Sequence, residues 1–183
     1  MIVVLYDTPA SRQVHYPFSL THPLANLRTG LFTQRQWVAK VLEQQVYALS
    51  EPWFGEVIPD SDEYLCLDAG WIFSAAFLQQ IATAPNGTAY LNEGNLIGFV
   101  TNKKPQYNQF PLFFSNTIDC NAGILLVDHA FKWVQESSRL IKKQLAFWVN
   151  KSNASANPEL KEISPGVWAE ADAVVKQGFF NTE

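Results

Sequence analysis

Ile2-Val-Val-Leu-Tyr6, followed at once by Asp7, is the stretch on which the fold turns. Its apolar residues run together instead of alternating. That marks a strand covered on both faces, the kind found at the centre of a parallel sheet. Asp7 arrives too soon, and no basic segment precedes it, for the stretch to be a secretory leader. Downstream, strand and helix patterns take turns. Thr33 stands where a helix N-cap belongs, ahead of Trp37, Val38, Val41 and Leu42. Gln45 to Leu49 reads as a strand, Ser50-Glu51-Pro52 as the start of a brief helix, and Tyr64 to Asp68 as a third strand. Ser74 opens a helix through Phe77, Leu78 and Ile81 that stops before Pro85-Asn86-Gly87. This alternation predicts an α/β fold, a three-layer α/β/α sheet of Rossmann-like type.

Other segments are read with less help from periodicity. Asp7 to Thr29, with Pro9, Pro17 and Pro23, reads as a long structureless loop, a form that is usually functional. Thr88 to Leu91 and Asn95 to Val100 flank Asn-Glu-Gly as a hairpin. Ile118 to Val127 is expected to be one apolar strand. The longest helix is placed from about Asp128, with Phe131, Val134, Ser138, Ile141, Leu145 and Trp148 as its apolar stripe. Asn150 to Pro158 has linker composition. Beyond it, Val167-Trp-Ala-Glu-Ala-Asp and Ala173-Val-Val-Lys-Gln-Gly divide into six-residue frames like those that open a β-helix. The expected organisation is therefore a domain over 1–149, a linker over 150–162 and an incomplete hexapeptide stub over 163–183.

The totals exclude several classes. A net charge of −4 leaves no basic field for a nucleic-acid backbone, so neither DNA nor RNA is an expected partner. Apolar runs stay short of the roughly 18 residues a membrane span needs. Cys66 and Cys120 sit in apolar runs without metal-ligand spacing and read as buried free thiols of a cytoplasmic protein. Dinucleotide and Walker glycine patterns, zinc pairs and a nucleophile elbow are all missing from the sequence. His15 and His129 are isolated.

The loop after the first strand carries the most specific signal. Pro17-Phe-Ser-Leu-Thr-His-Pro-Leu-Ala-Asn-Leu-Arg-Thr-Gly-Leu-Phe-Thr-Gln-Arg-Gln-Trp37 resembles a stretch of bacterial sugar nucleotidyltransferase-like proteins. Those are similar to the N-terminal part of N-acetylglucosamine-1-phosphate uridylyltransferase and carry a left-handed β-helix behind it. Their pattern is roughly Pro-Leu-Thr-x-Thr-Arg-Pro, then Arg-x-Gly-Ile-x-Thr, then Glu-Lys-Trp. This chain keeps Pro17, Thr21, Pro23, Arg28, Gly30, Thr33 and Trp37. It has His22 where the pattern has Arg, and Arg35-Gln36 where the pattern has Glu-Lys. The wider superfamily's Gly-x-Gly-Thr-Arg signature is missing from the loop.

The resemblance implies a reaction. An oxygen of a sugar 1-phosphate attacks the α-phosphorus of a nucleoside triphosphate, giving a nucleotide sugar and pyrophosphate with Mg²⁺ as cofactor. The protein then has to position two anions and neutralise charge. Arg28 is the candidate catalytic cation, because a guanidinium grips two phosphate oxygens; the other reading pairs it with a nearby carboxylate. Thr21, His22 and Gly30 join it as candidate nucleotide- and phosphate-binding residues, His22 being either a replacement cation or a loop-packing residue. Asp68 ends a buried strand and is the candidate metal ligand, or else the cap of the turn at Ala69-Gly70. Asn121, within Asp119-Cys-Asn-Ala-Gly-Ile124, is the candidate sugar contact by likeness to an Asn-Thr/Ala-Gly-Ile strand in related uridylyltransferases. A second function class is a catalytically inactive sugar-nucleotide-binding or scaffold module, favoured by His22, Gln36 and the missing glycines. A third is a structural domain whose exposed Trp and Phe residues meet copies of itself as a homo-oligomer.

Overall fold

The computed structural model describes residues 1–54, 56–109, 113–153, 160–164 and 167–170. The chain divides into two compact units, Met1–Ile141 and Lys142–Glu183.

The first unit is built on a mixed, mostly parallel sheet of order β4-β1-β5-β8-β7-β9. Its strands are β1 (Ile2–Tyr6), β4 (Val46–Leu49), β5 (Tyr64–Asp68), β7 (Thr88–Asn92), β8 (Asn95–Thr101) and β9 (Asn116–Asp119). Between β1 and β4 lie α1 (Pro9–Val14), the two-residue strands β2 (Arg28–Thr29) and β3 (Phe32–Thr33), and α2 (Gln34–Leu42). Next to β5 come β6 (Trp71–Phe73) and α3 (Ala75–Ile81). The unit closes with β10 (Ile124–Leu126) and the first part of α4 (Lys132–Asn153).

The sheet's centre follows directly from the apolar runs. Val3, Val4, Leu5 and Tyr6 are all buried, as are Tyr64, Leu65, Cys66 and Leu67, so both faces of β1 and β5 are covered. β1 pairs in parallel with β4 on one side and with β5 on the other, with Tyr6 opposite Asp68. The chain thus leaves β1 to one side for β4 and returns to the other side for β5. That reversal is a topological switch point, and a crevice opens beyond the carboxyl ends of the strands there.

The helices start where their caps lie. Thr33 Oγ1 accepts from the Gln36 N–H at 3.2 Å, while Gln36 Oε1 accepts from the Thr33 N–H at 2.9 Å. This reciprocal box accounts for a Gln at that position without any charge. Ser74 caps α3 through the Phe77 N–H at 3.2 Å. Trp37, in the middle of α2, is buried and donates its indole N–H to the Phe73 carbonyl at 2.8 Å. The β7–β8 hairpin turns on Glu93 and Gly94, both in left-handed conformation as a two-residue turn between right-twisted strands requires.

Three expectations are corrected. Asp7 to Thr29 is not structureless: it holds α1, single 3₁₀ turns at Phe18–Leu20 and Leu24–Asn26, and β2. Pro9 occupies the first turn of α1, where a missing N–H costs nothing, and Thr8 and Ser11 form a capping box. Ile118 to Val127 is two strands, since Gly123, with a φ of 79°, breaks the run. β9 joins the sheet edge beside β7, whereas β10 pairs antiparallel with β6. In α4 the buried apolar positions are Trp133 and Leu140, with Gln144 buried one turn on, while Val134 is 65% and Ile141 38% exposed. The stripe lies one residue, or about 100° of helix, from the expected one.

In the second unit, α4 runs on to Asn153, across the start of the expected linker. β11 (Leu160–Ser164) and β12 (Val167–Glu170) pair antiparallel, with a register shift between Glu162 and Ser164. The frame beginning at Ala173 lies outside the described residues. Among the described residues no helix is long and apolar enough to cross a membrane.

Candidate functional site

Asp7 and Asp68 mark the carboxyl ends of β1 and β5 at the switch point. Ala69 N–H still donates to the Tyr6 carbonyl at 2.7 Å, so the parallel ladder holds to the edge of the crevice. There a cleft of about 390 Å³ opens. Thr8, Ala10, Ser11, Val14 and His15 bring α1 to one wall, and Asp68, Gly70 and Trp71 come from the end of β5 and from β6. Leu126, Val127 and Asp128 follow β10, and Asn95 and Leu96 come from the start of β8. The Val127 N–H donates to the Gly70 carbonyl at 3.1 Å, fixing Asp128 close to the Asp68 side. The volume suits a small ligand, and most of the lining is apolar with a few polar groups, the usual make-up of such sites.

Of the two sequence readings of Asp68, the turn cap is the one its hydrogen bond shows. Its Oδ1 accepts from the Gly70 N–H at 2.8 Å, capping the turn, and the residue also lines the cleft. Burial, with a smaller contribution from the charge of Asp7, pushes its carboxyl up to about 7. A Cβ on Gly70 would lie 3.2 Å from Asp68 Oδ1 and 3.5 Å from Ser11 Cβ, so the floor is closed tightly around this carboxylate.

Asp7 is held from within. Its Oδ2 accepts from Arg12 Nη1 at 3.0 Å, Ser50 Oγ at 2.9 Å and the Leu24 N–H at 3.2 Å. Its Oδ1 is buried without a hydrogen-bond partner. Arg12 also donates to the Ser19 carbonyl and to the His22 carbonyl, pairs with Glu51 at 3.1 Å, and lies 4.9 Å over the Phe54 ring. One guanidinium therefore ties the whole β1–β2 connection to the ends of β1 and β4, with its fork-shaped donor set used from several directions.

The remaining sequence candidates stand elsewhere. Thr21 and His22 are exposed after the first 3₁₀ turn, and the His22 contribution to the network is its carbonyl. Arg28 is exposed on the β2–β3 hairpin and donates to the Leu31 carbonyl. Gly30, with a φ of 87°, supplies the turn of that hairpin, a conformation open to glycine at no steric cost. Asn121 is exposed on the β9–β10 connection. Of the candidates, only Asp68 lines the cleft.

Asp7, Arg12, His15 and Asp128 were not singled out from the sequence. Asp7 carried a legible signal, because it directly follows the central strand. Arg12 and His15 carried none, since a polar helix whose Arg and His are buried has no apolar periodicity to read.

The chemistry of the donor set fits Mg²⁺. That ion is held through one or two carboxylates and completes its shell with water and phosphate. Asp68 presents a half-buried carboxylate beside the charge of Asp7, and the exposed Asp128, paired with Lys132 at 3.2 Å, lines the same cleft. Among the described residues no cluster of three His, Cys, Asp or Glu forms an all-protein cage.

A sheet that reverses direction beside β1, with a carboxylate-bearing cleft outside its carboxyl edge, is the layout of α/β proteins that bind ligands at a switch point. The chain belongs to the sugar nucleotidyl transferase family, whose pattern matches residues 3–153. No curated protein matches it.

Proposed function

We propose that the cleft binds a nucleoside triphosphate and a sugar 1-phosphate and joins them into a nucleotide sugar, releasing pyrophosphate. The observation that carries this reading is Asp68: a half-buried carboxylate at the switch point, lining a cleft of ligand size in a chain of this family. A sugar-1-phosphate oxygen forms the new bond to the α-phosphorus, and the bond from that phosphorus to the bridging oxygen of pyrophosphate breaks. Mg²⁺, when bound, supplies charge neutralisation on the phosphates. Asp68 and Asp128 are the residues that would hold it. Thr8 and Ser11, on the α1 wall, offer hydroxyls to phosphate or sugar oxygens. Val14, Leu96, Leu126 and Val127 exclude water from the reacting groups. The base, the sugar and the likeness to N-acetylglucosamine-1-phosphate uridylyltransferase belong to this proposal.

A second reading, a sugar-nucleotide-binding module without turnover, is favoured by a specific observation. The described residues lining the cleft include two aspartates and a histidine but no Lys or Arg. Arg12 is committed to the Asp7 network, and Arg28 to the Leu31 carbonyl. Beside the metal ion, the cation next to this lining is Lys132, whose Nζ is paired with Asp128 at 3.2 Å, and the loss of protein donors in such reactions is costly.

Pyrophosphate release separates the two. The protein is incubated with each of UTP, dTTP, CTP, ATP and GTP, Mg²⁺ and a set of hexose and N-acetylhexosamine 1-phosphates. Mg²⁺-dependent release that needs both substrates supports the transferase. Nucleotide-sugar binding without release supports the module, and neither binding nor release with any combination rejects both.

A further inference from the structure

Asp128 lines the cleft, and its Oδ1 lies 3.2 Å from Lys132 Nζ, one turn further along the chain. That distance puts the ammonium at the edge of the cleft, against a side chain of its lining. Lys132 opens α4, where a cation meets the positive end of the helix dipole, and the Asp128 carboxylate offsets that. His129 Nε2 lies 3.6 Å from the same oxygen and joins the pair only when its ring is protonated. The Asp128 side chain is 55% exposed and the Lys132 side chain 21%, so both ends of the pair are open to water. Ion pairs of this kind are weak, and the lysine ammonium sits on a long, flexible stem. A phosphate, which carries more charge than one carboxylate, competes well for it.

A phosphate entering the cleft needs such a cation. It meets the carboxylates of Asp68 and Asp128, and the described lining holds no Lys or Arg. Other cations are engaged away from the lining: Arg12 by Asp7 and Glu51, Arg35 by Glu56 at 2.7 Å, and Lys104 by Asp60 at 2.8 Å. Asp128 is also one of the residues that would hold Mg²⁺, and a carboxylate engaged by that ion attracts an ammonium less. We infer that Lys132 is a phosphate-binding residue of the cleft, its ammonium leaving Asp128 for a phosphate oxygen when a ligand binds. It supplies the protein cation that the lining itself lacks. The inference rests on the cleft being the ligand site proposed above.

The test is isothermal titration calorimetry with Mg²⁺, at several salt concentrations, on the wild type, Lys132→Met and Lys132→Arg. Lys132→Met keeps the apolar stem and removes the charge, whereas Lys132→Arg keeps the charge. The titrants are UTP, dTTP, CTP, ATP and GTP, and glucose 1-phosphate and N-acetylglucosamine 1-phosphate. The expected result is that Lys132→Met loses about tenfold or more in affinity for a phosphate ligand that the wild type binds. Its binding also becomes less sensitive to salt, because one ionic contact is gone, and Lys132→Arg recovers most of the loss. The ligand that shows the loss identifies triphosphate or sugar phosphate as the group held. Affinity unchanged in Lys132→Met overturns this inference and leaves the proposed function standing. An equal loss in both variants with the salt dependence of the wild type makes Lys132 a packing residue and likewise overturns it. Failure of the wild type to bind any titrant overturns both. Should Lys132→Met fail to fold, Lys132→Gln takes its place in the same comparison.

Discussion

Arg12 and Asp7 form a buried ion pair at 3.0 Å, with side chains 8% and 1% exposed. Five residues apart in sequence, they join the end of the central strand to the loop that covers it. Through the same two side chains the chain fastens Ser19, His22, Leu24, Ser50 and Glu51. Removing one partner leaves the other charged in a dry environment. Arg12→Ala is expected to cost about 3–5 kcal/mol in urea unfolding. Arg12→Lys should recover little of it, because a single ammonium cannot reach this many acceptors. A loss below about 1 kcal/mol for Arg12→Ala would show that the network is not what holds the loop.

Asp68 gives a pH dependence with a definite sign. Its folded pKa of about 7 lies above its ordinary value of 3.8, so the folded protein binds this proton more tightly than the unfolded chain. In chelator, the contribution of Asp68 to stability is full below about pH 4 and is lost as the pH rises to about 7. Asp68→Asn removes that decline and is expected to be at least as stable as wild type at pH 8. Melting temperatures measured across pH 4–8 on both proteins check this; parallel curves would contradict it.

His15 slopes the other way. Its folded pKa lies below the ordinary 6.5, so the unfolded chain takes up the proton first. The stability it contributes is full above pH 6.5 and is lost as the pH falls through that value toward the folded one. His15→Phe should flatten this part of the profile while leaving the Asp68 part intact. The two slopes oppose each other in wild type, so only the single variants separate them.

Gly70→Ala places a methyl group 3.2 Å from Asp68 Oδ1 and 3.5 Å from Ser11 Cβ. Either the carboxylate or α1 has to give way. Overpacking of this sort costs about 1–3 kcal/mol, and Mg²⁺-dependent ligand binding should weaken about tenfold as Asp68 turns. Equal affinity in Gly70→Ala and wild type would mean that the position of Asp68 does not matter to the ligand.

The sequence revealed the sheet more clearly than the site. Ile2–Tyr6 and Tyr64–Asp68 are legible because short, β-branched or aromatic-rich apolar runs that end at an Asp fit a buried strand better than a helix, and Thr33 and Ser74 because caps are local chemistry. The helix α1 was hidden: Pro9 reads as a breaker unless its place in the first turn is known, and Arg12 and His15 are polar residues that long-range partners bury. The α4 stripe was misread by one position because Phe131 and Val134 are as apolar as Trp133, and only packing against Ile72 and Val127 decides between them. Asp68 was found by its place at a strand end. Asp128 was missed because its approach to Gly70 depends on the pairing of β10 with β6, far apart in the chain.

Arg28 offers a contrast to Asp68. It is exposed and bonded to its own hairpin at the Leu31 carbonyl. Arg28→Ala is expected to change stability by less than about 0.5 kcal/mol, as for most surface positions. A drop of tenfold or more in nucleotide affinity in that variant would return it to the site as a phosphate-binding residue.

The most direct test of the central claim is calorimetric titration of wild type and Asp68→Asn with the five nucleoside triphosphates, with and without Mg²⁺. The account predicts binding selective for one base and dependent on Mg²⁺ in wild type, weakened more than about tenfold in a fully folded Asp68→Asn. Tight binding that ignores Mg²⁺, or that survives Asp68→Asn unchanged, would contradict it.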